Sequence, residues 1–195
     1  YDEFARTTRA ELDFVAEGRN AEIFARNFAG DDHVQIPAVF WSHTRRRVLT
    51  LEEMVGIKVS DRRALEAACV DPAAVVRALV DAYFRMIFVD NFVHSDPHPG
   101  NLFVAPARRA DGPAAGEPTP FRLAFVDFGM VAVVPEHVRA HLRDYLVGFA
   151  TRDTGRIVRA YEGAGLLLPG ADLSRLEQAQ AAVFERFWGV RMGDL

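Results

Sequence analysis

Residues 93–101 read VHSDPHPGN, and residues 124–129 read AFVDFG. Both segments lie beside apolar, strand-like runs, and together they supply the carboxylates of Asp96 and Asp127 and the amide of Asn101. Groups of this kind hold Mg²⁺ on phosphate oxygens and orient an attacking hydroxyl. Each segment alone is weak evidence, because an aspartate in a turn that ends a helix or a strand is common. The two segments in this order are a strong sign of phosphate chemistry.

The spacing of these residues resembles that of the catalytic loop and the metal-binding DFG turn of protein kinases. Asp96 and Asn101 are five residues apart, and His94 stands two residues before Asp96, as in the kinase loop. The resemblance implies that Asp96 orients the attacking hydroxyl and accepts its proton, while Asn101 and Asp127 hold Mg²⁺. We expect His94 to brace the loop from inside, and His98 to be a hydrogen-bonded loop histidine rather than a substrate contact.

A zinc site built from His94, Asp96 and His98 is the alternative for the same loop. Catalytic zinc is usually held by three protein ligands in a tetrahedral arrangement. Three alternate residues interrupted by proline make a poor cage of that kind, whereas carboxylate and amide oxygens suit Mg²⁺. Magnesium is therefore the favoured metal.

The sequence DPHPGN at residues 96–101 departs from typical protein kinases and resembles the UbiB/AarF family of atypical kinase-like proteins. Two further segments carry the resemblance: ELDFVAEGRN at residues 11–20 and VLTLEEMVG at residues 48–56. The three segments follow the family order. The resemblance implies an α+β, protein-kinase-like fold that binds Mg²⁺ and ATP. It also implies ATPase or unorthodox kinase activity, linked to ubiquinone or other isoprenoid-lipid metabolism.

The resemblance assigns roles to further residues. Glu17 corresponds to the helix-C glutamate that pairs with the lysine of kinase strand 3, and so joins Asp96, Asn101 and Asp127 as a catalytic residue. The positions assigned to nucleotide binding are the E-x-D pair and the hinge, whose backbone would face adenine: Glu11, Asp13, Glu52 and Met54.

The segments that precede helix C in the family pattern are missing from this sequence. Lys58 is the only lysine, and it follows the hinge. The V-A-I-K strand, the glycine- or alanine-rich nucleotide loop and the K-x-G-Q segment, all of which precede helix C in the family, do not occur. We therefore expect a fragment that lacks most of the N-lobe and is inactive alone. A lysine-free pseudokinase is the less favoured alternative.

The predicted organisation has two parts. A partial N-lobe with helix C and the hinge covers residues 1–56, and a mainly helical C-lobe with the catalytic loop and the DFG turn covers residues 57–195. Helix C is predicted over residues 2–28, and strands over residues 34–41 and 47–54 form a hairpin.

The predicted C-lobe contains four main helices. Asp71 and Pro72 are typical of a helix start, with aspartate as the N-cap and proline at the first helical position. This helix carries an apolar stripe that we expect to face the core: Val75, Val76, Leu79, Val80, Tyr83, Phe84, Ile87 and Phe88. The other helices are predicted near residues 135–150, 153–164 and 172–188. The aromatic residues at the end of the last helix are expected to pack on a further C-terminal part or to face a partner: Phe184, Phe187 and Trp188.

Composition narrows the function classes. The formal net charge of −4 does not favour a nucleic-acid-binding domain, which would be basic. Cys69 is the only cysteine, so an intramolecular disulfide is excluded and a reducing compartment is favoured; we expect a buried thiol in a helix over residues 62–70. We expect a cytoplasmic location, with peripheral membrane association and lipid or lipid-biosynthesis partners for the longer protein.

Two other functions stay open at this level. Small-molecule phosphotransferases of the aminoglycoside or choline kinase type also carry H-x-D-x-x-x-x-N and a later D-[FW]-G, although the segment at residues 11–20 argues against them. A nucleotide-sensing scaffold without turnover is the third reading.

Overall fold

The computed structural model describes residues 13–107 and 118–188. It divides into two compact units, Tyr1–Val133 and Val134–Leu195. The boundary predicted at residue 56 falls inside the first unit and stays a prediction. No helix in the described part of the chain is both long and apolar enough to cross a membrane.

Helix α1 spans Phe14–Asn27, with its first turn capped by Asp13. The Asp13 carboxylate accepts hydrogen bonds from the backbone N–H groups of Val15 and Ala16, which have no partner within the helix. Phe24 is fully buried on the inner face of the helix. A helix is thus present in the described part of the range predicted for helix C, while the predicted residues 2–12 lie outside that part.

A four-stranded sheet joins the start of the chain to the predicted site. Its strands are β1 (Val34–Gln35), β2 (Ile57–Lys58), β4 (Leu102–Pro106) and β5 (Phe121–Phe125). Their order across the sheet is β1-β5-β4-β2. Strand β1 is parallel to β5, and the other pairs are antiparallel. Strand β2, which follows the predicted hinge, therefore lies directly beside β4, the strand that leaves the predicted catalytic loop.

The predicted hairpin is present but narrower than expected. Its two sides form isolated bridges, Val39 with Leu51 and Arg45 with Val48, and a backbone hydrogen bond from Glu52 to Ala38, while residues 34–35 pair with β5 instead. Pro37 explains the division, because proline has no N–H to donate to a ladder. At the tip, the Arg45 guanidinium donates to three backbone carbonyl oxygens of the turn.

Two helices lead to the catalytic loop. Helix α2 spans Arg62–Ala67, and α3 spans Pro72–Arg85, with Asp71 as N-cap and proline in its first turn, as predicted. A π-helix, Met86–Asp90, continues α3 and ends at Asn91 in a left-handed conformation (φ +48°). It delivers the chain to β3 (Val93–His94), which pairs with β6 (Val131–Ala132).

Two expectations for this region were wrong. The apolar stripe of α3 is not wholly core, because Val76, Val80 and Phe84, spaced one turn apart, are exposed. Cys69 is neither helical nor buried: α2 ends at Ala67, and Cys69 follows in a left-handed turn (φ +55°) with its thiol exposed. The turn sends the next residue, Val70, into the core in its place.

The second unit, as far as residue 188, contains three helices close to those predicted. These are α4 (Glu136–Thr151), α5 (Thr154–Gly163) and α6 (Leu173–Phe187). Asp153 and Asp172 cap α5 and α6 by accepting a backbone hydrogen bond in the first turn.

The aromatic residues of α6 pack within this unit. Phe184 is 7% exposed and lies 5.4 Å from the Phe149 ring and 5.3 Å from the Trp188 ring, centroid to centroid. The guanidinium of Arg152 lies 4.2 Å above the Trp188 ring, within cation–π range. The expectation that these residues face a further part or a partner is therefore wrong for Phe184, which is covered within this unit, whereas Trp188 is 38% exposed and its contact with a further part or a partner stays a prediction. The Phe187 side chain lies outside the described residues.

Candidate active site

The catalytic loop is held by its own hydrogen bonds. The Asp96 carboxylate accepts from the backbone N–H of His98 at 3.2 Å, and His98 Nδ1 accepts from the N–H of Gly100 at 3.0 Å. His98 thereby caps a short 3₁₀ turn, Pro99–Asn101. The prolines on either side of His98 fix their own φ angles. This geometry is that of a hydrogen-bonded loop histidine.

Three of the predicted catalytic residues lie together. The Asn101 amide nitrogen donates to Asp96 Oδ2 at 2.8 Å and lies 3.5 Å from Asp127 Oδ2. The β4–β5 ladder brings them together, since Leu102 pairs with Phe125. With its nitrogen engaged, Asn101 has its amide oxygen left as a metal ligand.

Asp127 stands in an uncommon backbone conformation. Its φ of +66° lies in the left-handed region, which residues other than glycine seldom adopt. Its Oδ1 atom accepts from the N–H of Gly129 at 3.3 Å. Strain of this kind is concentrated at functional sites, where the surrounding structure maintains it.

The interior of the site is aromatic. His94 is 1% exposed, and its ring centroid lies 6.0, 5.8 and 5.7 Å from those of Phe24, Phe125 and Phe128. Its Nε2 atom lies 3.4 Å from the carbonyl oxygen of Val126, directly before Asp127. His94 thus braces the loop from inside, as expected.

Helix α1 contacts the DFG turn directly. Glu17 Oε1 accepts from the N–H of Phe128 at 3.2 Å. Burial raises the pKa of Glu17 above its usual value, the Phe128 N–H lowers it, and the charge of Asp127 raises it further. Three residues along α1, Asn20 donates from its amide nitrogen to the carbonyl oxygen of Phe128 at 2.9 Å.

Sequence reasoning gave Asn20 no role, although it ends the family-like segment at residues 11–20. It also missed Tyr83 as a neighbour of the site. The Tyr83 hydroxyl is buried and has no hydrogen-bond partner among the described residues. Burial and, after it, the charge of Asp96 raise the pKa of Tyr83. The helical spacing of Tyr83 identified only an apolar position.

The residues predicted to bind nucleotide belong to different parts of the chain. Asp13 caps α1, and Glu11 lies outside the described residues. Glu52 belongs to the hairpin, where its carboxylate accepts from the N–H of Ala38 at 3.2 Å and its own N–H donates to the Ala38 carbonyl. Met54 is half-buried between the hairpin and β2.

The donor set fits magnesium. Asp127 supplies a carboxylate and Asn101 an amide oxygen, and Mg²⁺ commonly takes one or two such ligands together with substrate phosphates. Within residues 13–107 and 118–188, no group of three or more His, Cys, Asp or Glu side chains is arranged to hold a metal ion. The zinc alternative therefore gains no support.

The comparison with protein families decides the relationship. The ABC1 atypical kinase-like domain matches residues 1–161 of the chain. The chain belongs to this family.

Two named relatives illustrate the match. A chloroplastic Arabidopsis thaliana protein named ACTIVITY OF BC1 COMPLEX KINASE 8 is 34% identical over 91% of this chain and 22% of its own length. A probable protein kinase UbiB from Xylella fastidiosa is 33% identical over 95% of this chain and 32% of its own length. The chain thus spans at most about a third of the length of these ABC1 relatives.

A solved structure shares the fold. It is the complex of Rv3197 from Mycobacterium tuberculosis with erythromycin, with a TM-score of 0.66 and 21% identity over 94% of this chain and 44% of that one. The ABC1 chain therefore has a kinase-like fold with mixed helices and strands.

Proposed function

We propose that this chain carries the Mg²⁺- and ATP-binding site of an atypical kinase or ATPase that transfers the γ-phosphoryl group. The observation that carries the proposal is the contact of the Asn101 amide with the carboxylates of Asp96, at 2.8 Å, and Asp127, at 3.5 Å. A proton-accepting carboxylate and a metal-binding carboxylate on either side of one amide suit phosphoryl transfer. Membership of the ABC1 kinase-like family supports the same reading.

Each of the three residues has a separate task. Asp96 is oriented by the His98 N–H at Oδ1 and by Asn101 at Oδ2, and the remaining lone pairs of the carboxylate would align the attacking hydroxyl and accept its proton. Asp127 and the Asn101 oxygen hold the metal. Mg²⁺, when bound, would neutralise charge on the β- and γ-phosphates.

The nucleotide contacts follow from the family resemblance. Glu17 would order a strand-3 lysine supplied from outside this sequence, because Lys58, the only lysine, follows the hinge. The remaining proposed nucleotide-binding positions are Glu11, Asp13, Glu52 and Met54.

The biological setting is proposed from the relatives. One is named probable protein kinase UbiB and another ACTIVITY OF BC1 COMPLEX KINASE 8. We propose a role in ubiquinone or other isoprenoid-lipid metabolism, in the cytoplasm, with peripheral membrane association of the longer protein. The family match also argues against the aminoglycoside or choline kinase alternative.

One observation favours a second function, a nucleotide sensor without turnover. The Glu17 carboxylate, which would pair with a lysine in an active kinase, already accepts a hydrogen bond from the Phe128 N–H. A site of this kind would bind Mg·ADP or Mg·ATP and release no phosphate at high protein concentration. Phosphate release above that of the Asp96→Asn variant would exclude it.

The first test is a thermal-shift titration with Mg·ATP and Mg·ADP, on this chain and on the longer protein that we expect to contain it. A ligand at about 100 times its Kd adds about 2.7 kcal/mol to the free energy of unfolding. A Mg²⁺-dependent shift in the longer protein supports the proposal. A folded longer protein with no shift, and with no nucleotide binding by calorimetry, contradicts it.

A further inference from the structure

We infer that Asn20 is a positioning residue for the metal-binding carboxylate of Asp127, acting through the peptide group between Phe128 and Gly129. The inference rests on the proposed metal role of Asp127. It assigns to helix α1 a task that does not depend on the lysine partner of Glu17.

Helix α1 holds three parts of Phe128. Glu17 accepts from its N–H at 3.2 Å, and Asn20 donates to its carbonyl oxygen at 2.9 Å. Phe24 packs against its ring, with centroids 5.2 Å apart, and the Phe128 side chain is fully buried. Residues 17, 20 and 24 share one face of a helix, because they are three and seven positions apart.

The two hydrogen bonds act on different peptide groups. The N–H of Phe128 belongs to the peptide that follows Asp127, and its carbonyl belongs to the peptide that precedes Gly129. Both planes around Phe128 are therefore fixed from α1. This support sits directly after the strained conformation of Asp127, whose φ is +66°.

The peptide that Asn20 holds is also the one that contacts the metal-binding carboxylate. Its carbonyl oxygen accepts from Asn20, and its N–H, on Gly129, donates to Asp127 Oδ1 at 3.3 Å. A donor on the carbonyl polarises the peptide and strengthens the hydrogen bond made by its N–H. Asn20 thus orients the Oδ1 edge of Asp127, while the Oδ2 edge lies toward Asn101.

The sequence spacing supports a specific role over general packing. Asn20 stands 108 residues before its acceptor, so the bond is a tertiary contact and not a local helix feature. Removing it would leave the Phe128 carbonyl without its donor and free the peptide to rotate.

The test uses Asn20→Ala and Asn20→Leu, which both remove the donor, the second with the same side-chain branching and number of heavy atoms. Asn27→Ala, on the same helix two turns further on, is the matched control for helix propensity. Asn20→Gln keeps an amide donor and should recover part of the effect.

The first readout needs no metal. In ¹H–¹⁵N spectra of the metal-free chain, the Gly129 amide proton should move upfield in Asn20→Ala and Asn20→Leu, because its hydrogen bond to Asp127 weakens, and stay in place in Asn27→Ala. An unchanged Gly129 resonance in either folded donor-less variant overturns the inference.

The second readout is Mn²⁺ affinity in the presence of ADP, measured by electron paramagnetic resonance on the longer protein. Loss of an outer-shell partner commonly costs 10- to 100-fold in metal affinity, so we expect a loss of about tenfold or more in Asn20→Ala. Equal loss in Asn27→Ala would overturn the inference. Absence of Mn²⁺ binding in the wild type would instead overturn the proposed function, and the Gly129 resonance would still decide the role of Asn20.

Discussion

The two units of the chain are stabilised in different ways. In the first, the site is assembled from the β4–β5 strand pair, the two-residue strand β3, a 3₁₀ turn and a left-handed aspartate, joined by polar contacts such as Asn101 to Asp96. In the second, three regular helices, two of them with aspartate caps, pack through aromatic rings around Phe184. The polar contacts of the site lie in the turns between short elements of the first unit. Changes in the first unit should therefore alter ligand binding, and changes in the second should alter stability.

The largest effect expected from this contrast is that of Asp127→Asn in the first unit. The variant should lose Mg²⁺-dependent ADP binding, because a neutral amide replaces the metal-binding carboxylate, while its melting temperature without ligand changes little. Isothermal calorimetry with and without Mg²⁺ measures the binding, and thermal unfolding without ligand measures the melting temperature. The matched control is Asp144→Asn, which removes an exposed carboxylate paired with Arg156 in the second unit. Binding of Mg·ADP by Asp127→Asn at wild-type affinity would refute the metal assignment.

The second unit should show the opposite response. Phe184→Ala removes a buried ring that contacts Phe149 and Trp188, and such truncations cost about 3–5 kcal/mol. We expect a loss of about 3 kcal/mol in urea denaturation of the second unit. Val183→Ala, at a neighbouring exposed position, should change stability by less than about 0.5 kcal/mol. Equal effects of the two variants would show that the aromatic cluster does not stabilise this unit.

Two helix caps sharpen the comparison further. Asp172→Ala should cost about 1 kcal/mol of stability, since it removes the acceptor of the Arg175 N–H, and Asp172→Asn should restore most of that loss.

Asp13→Asn likewise preserves a cap, on α1, so the stability of the chain should stay unchanged. If Asp13 also takes part in nucleotide binding, as we propose, Asp13→Asn should weaken Mg·ADP binding at unchanged stability. Unchanged binding would restrict Asp13 to capping.

The smallest effect is a pH dependence at Glu17. Burial raises the pKa of Glu17 in the folded chain above the ordinary value of 4.5. At a pH between 4.5 and the folded pKa, the folded state therefore binds more protons than the unfolded state. In metal-free buffer, this group should make stability fall as pH rises from 4.5 through the folded pKa. Glu17→Gln should flatten that slope in a thermal-shift series, whereas Glu22→Gln, on the same helix, should keep it. A parallel slope in Glu17→Gln would assign the pH dependence to another group.

The sequence predicted the clustered residues of the site better than the contacts that hold them in place. Motif spacing placed Asp96, Asn101 and Asp127 in one cluster, because the order of residues around a strand pair constrains which turns meet. It did not predict the Asn20 contact, although Asn20 ends the family-like segment at residues 11–20, since the bond spans 108 residues and a motif position does not identify a distant partner. The roles of the clustered residues in metal binding and catalysis stay predictions.

The fold shows a similar division. Aspartate followed by proline predicted the start of α3 correctly, because the cap and the fixed φ act locally. Burial along α3 was predicted less well: an apolar period identifies a helix but does not say how much of a wide stripe a neighbour covers, and Val76 and Val80 are exposed. The strands of the hairpin were predicted too long, because the effect of Pro37 on pairing was not taken into account.

The exposed turn at Cys69 has a practical consequence. A maleimide dye or a nitroxide would attach at a single place, since the chain contains no other thiol and this one is accessible. The carbonyl oxygen of the same residue accepts the backbone N–H of Thr119, which leads into β5 and so toward Asp127. A reporter there would follow the strand that carries the DFG turn, in the natural sequence and without removing a competing cysteine.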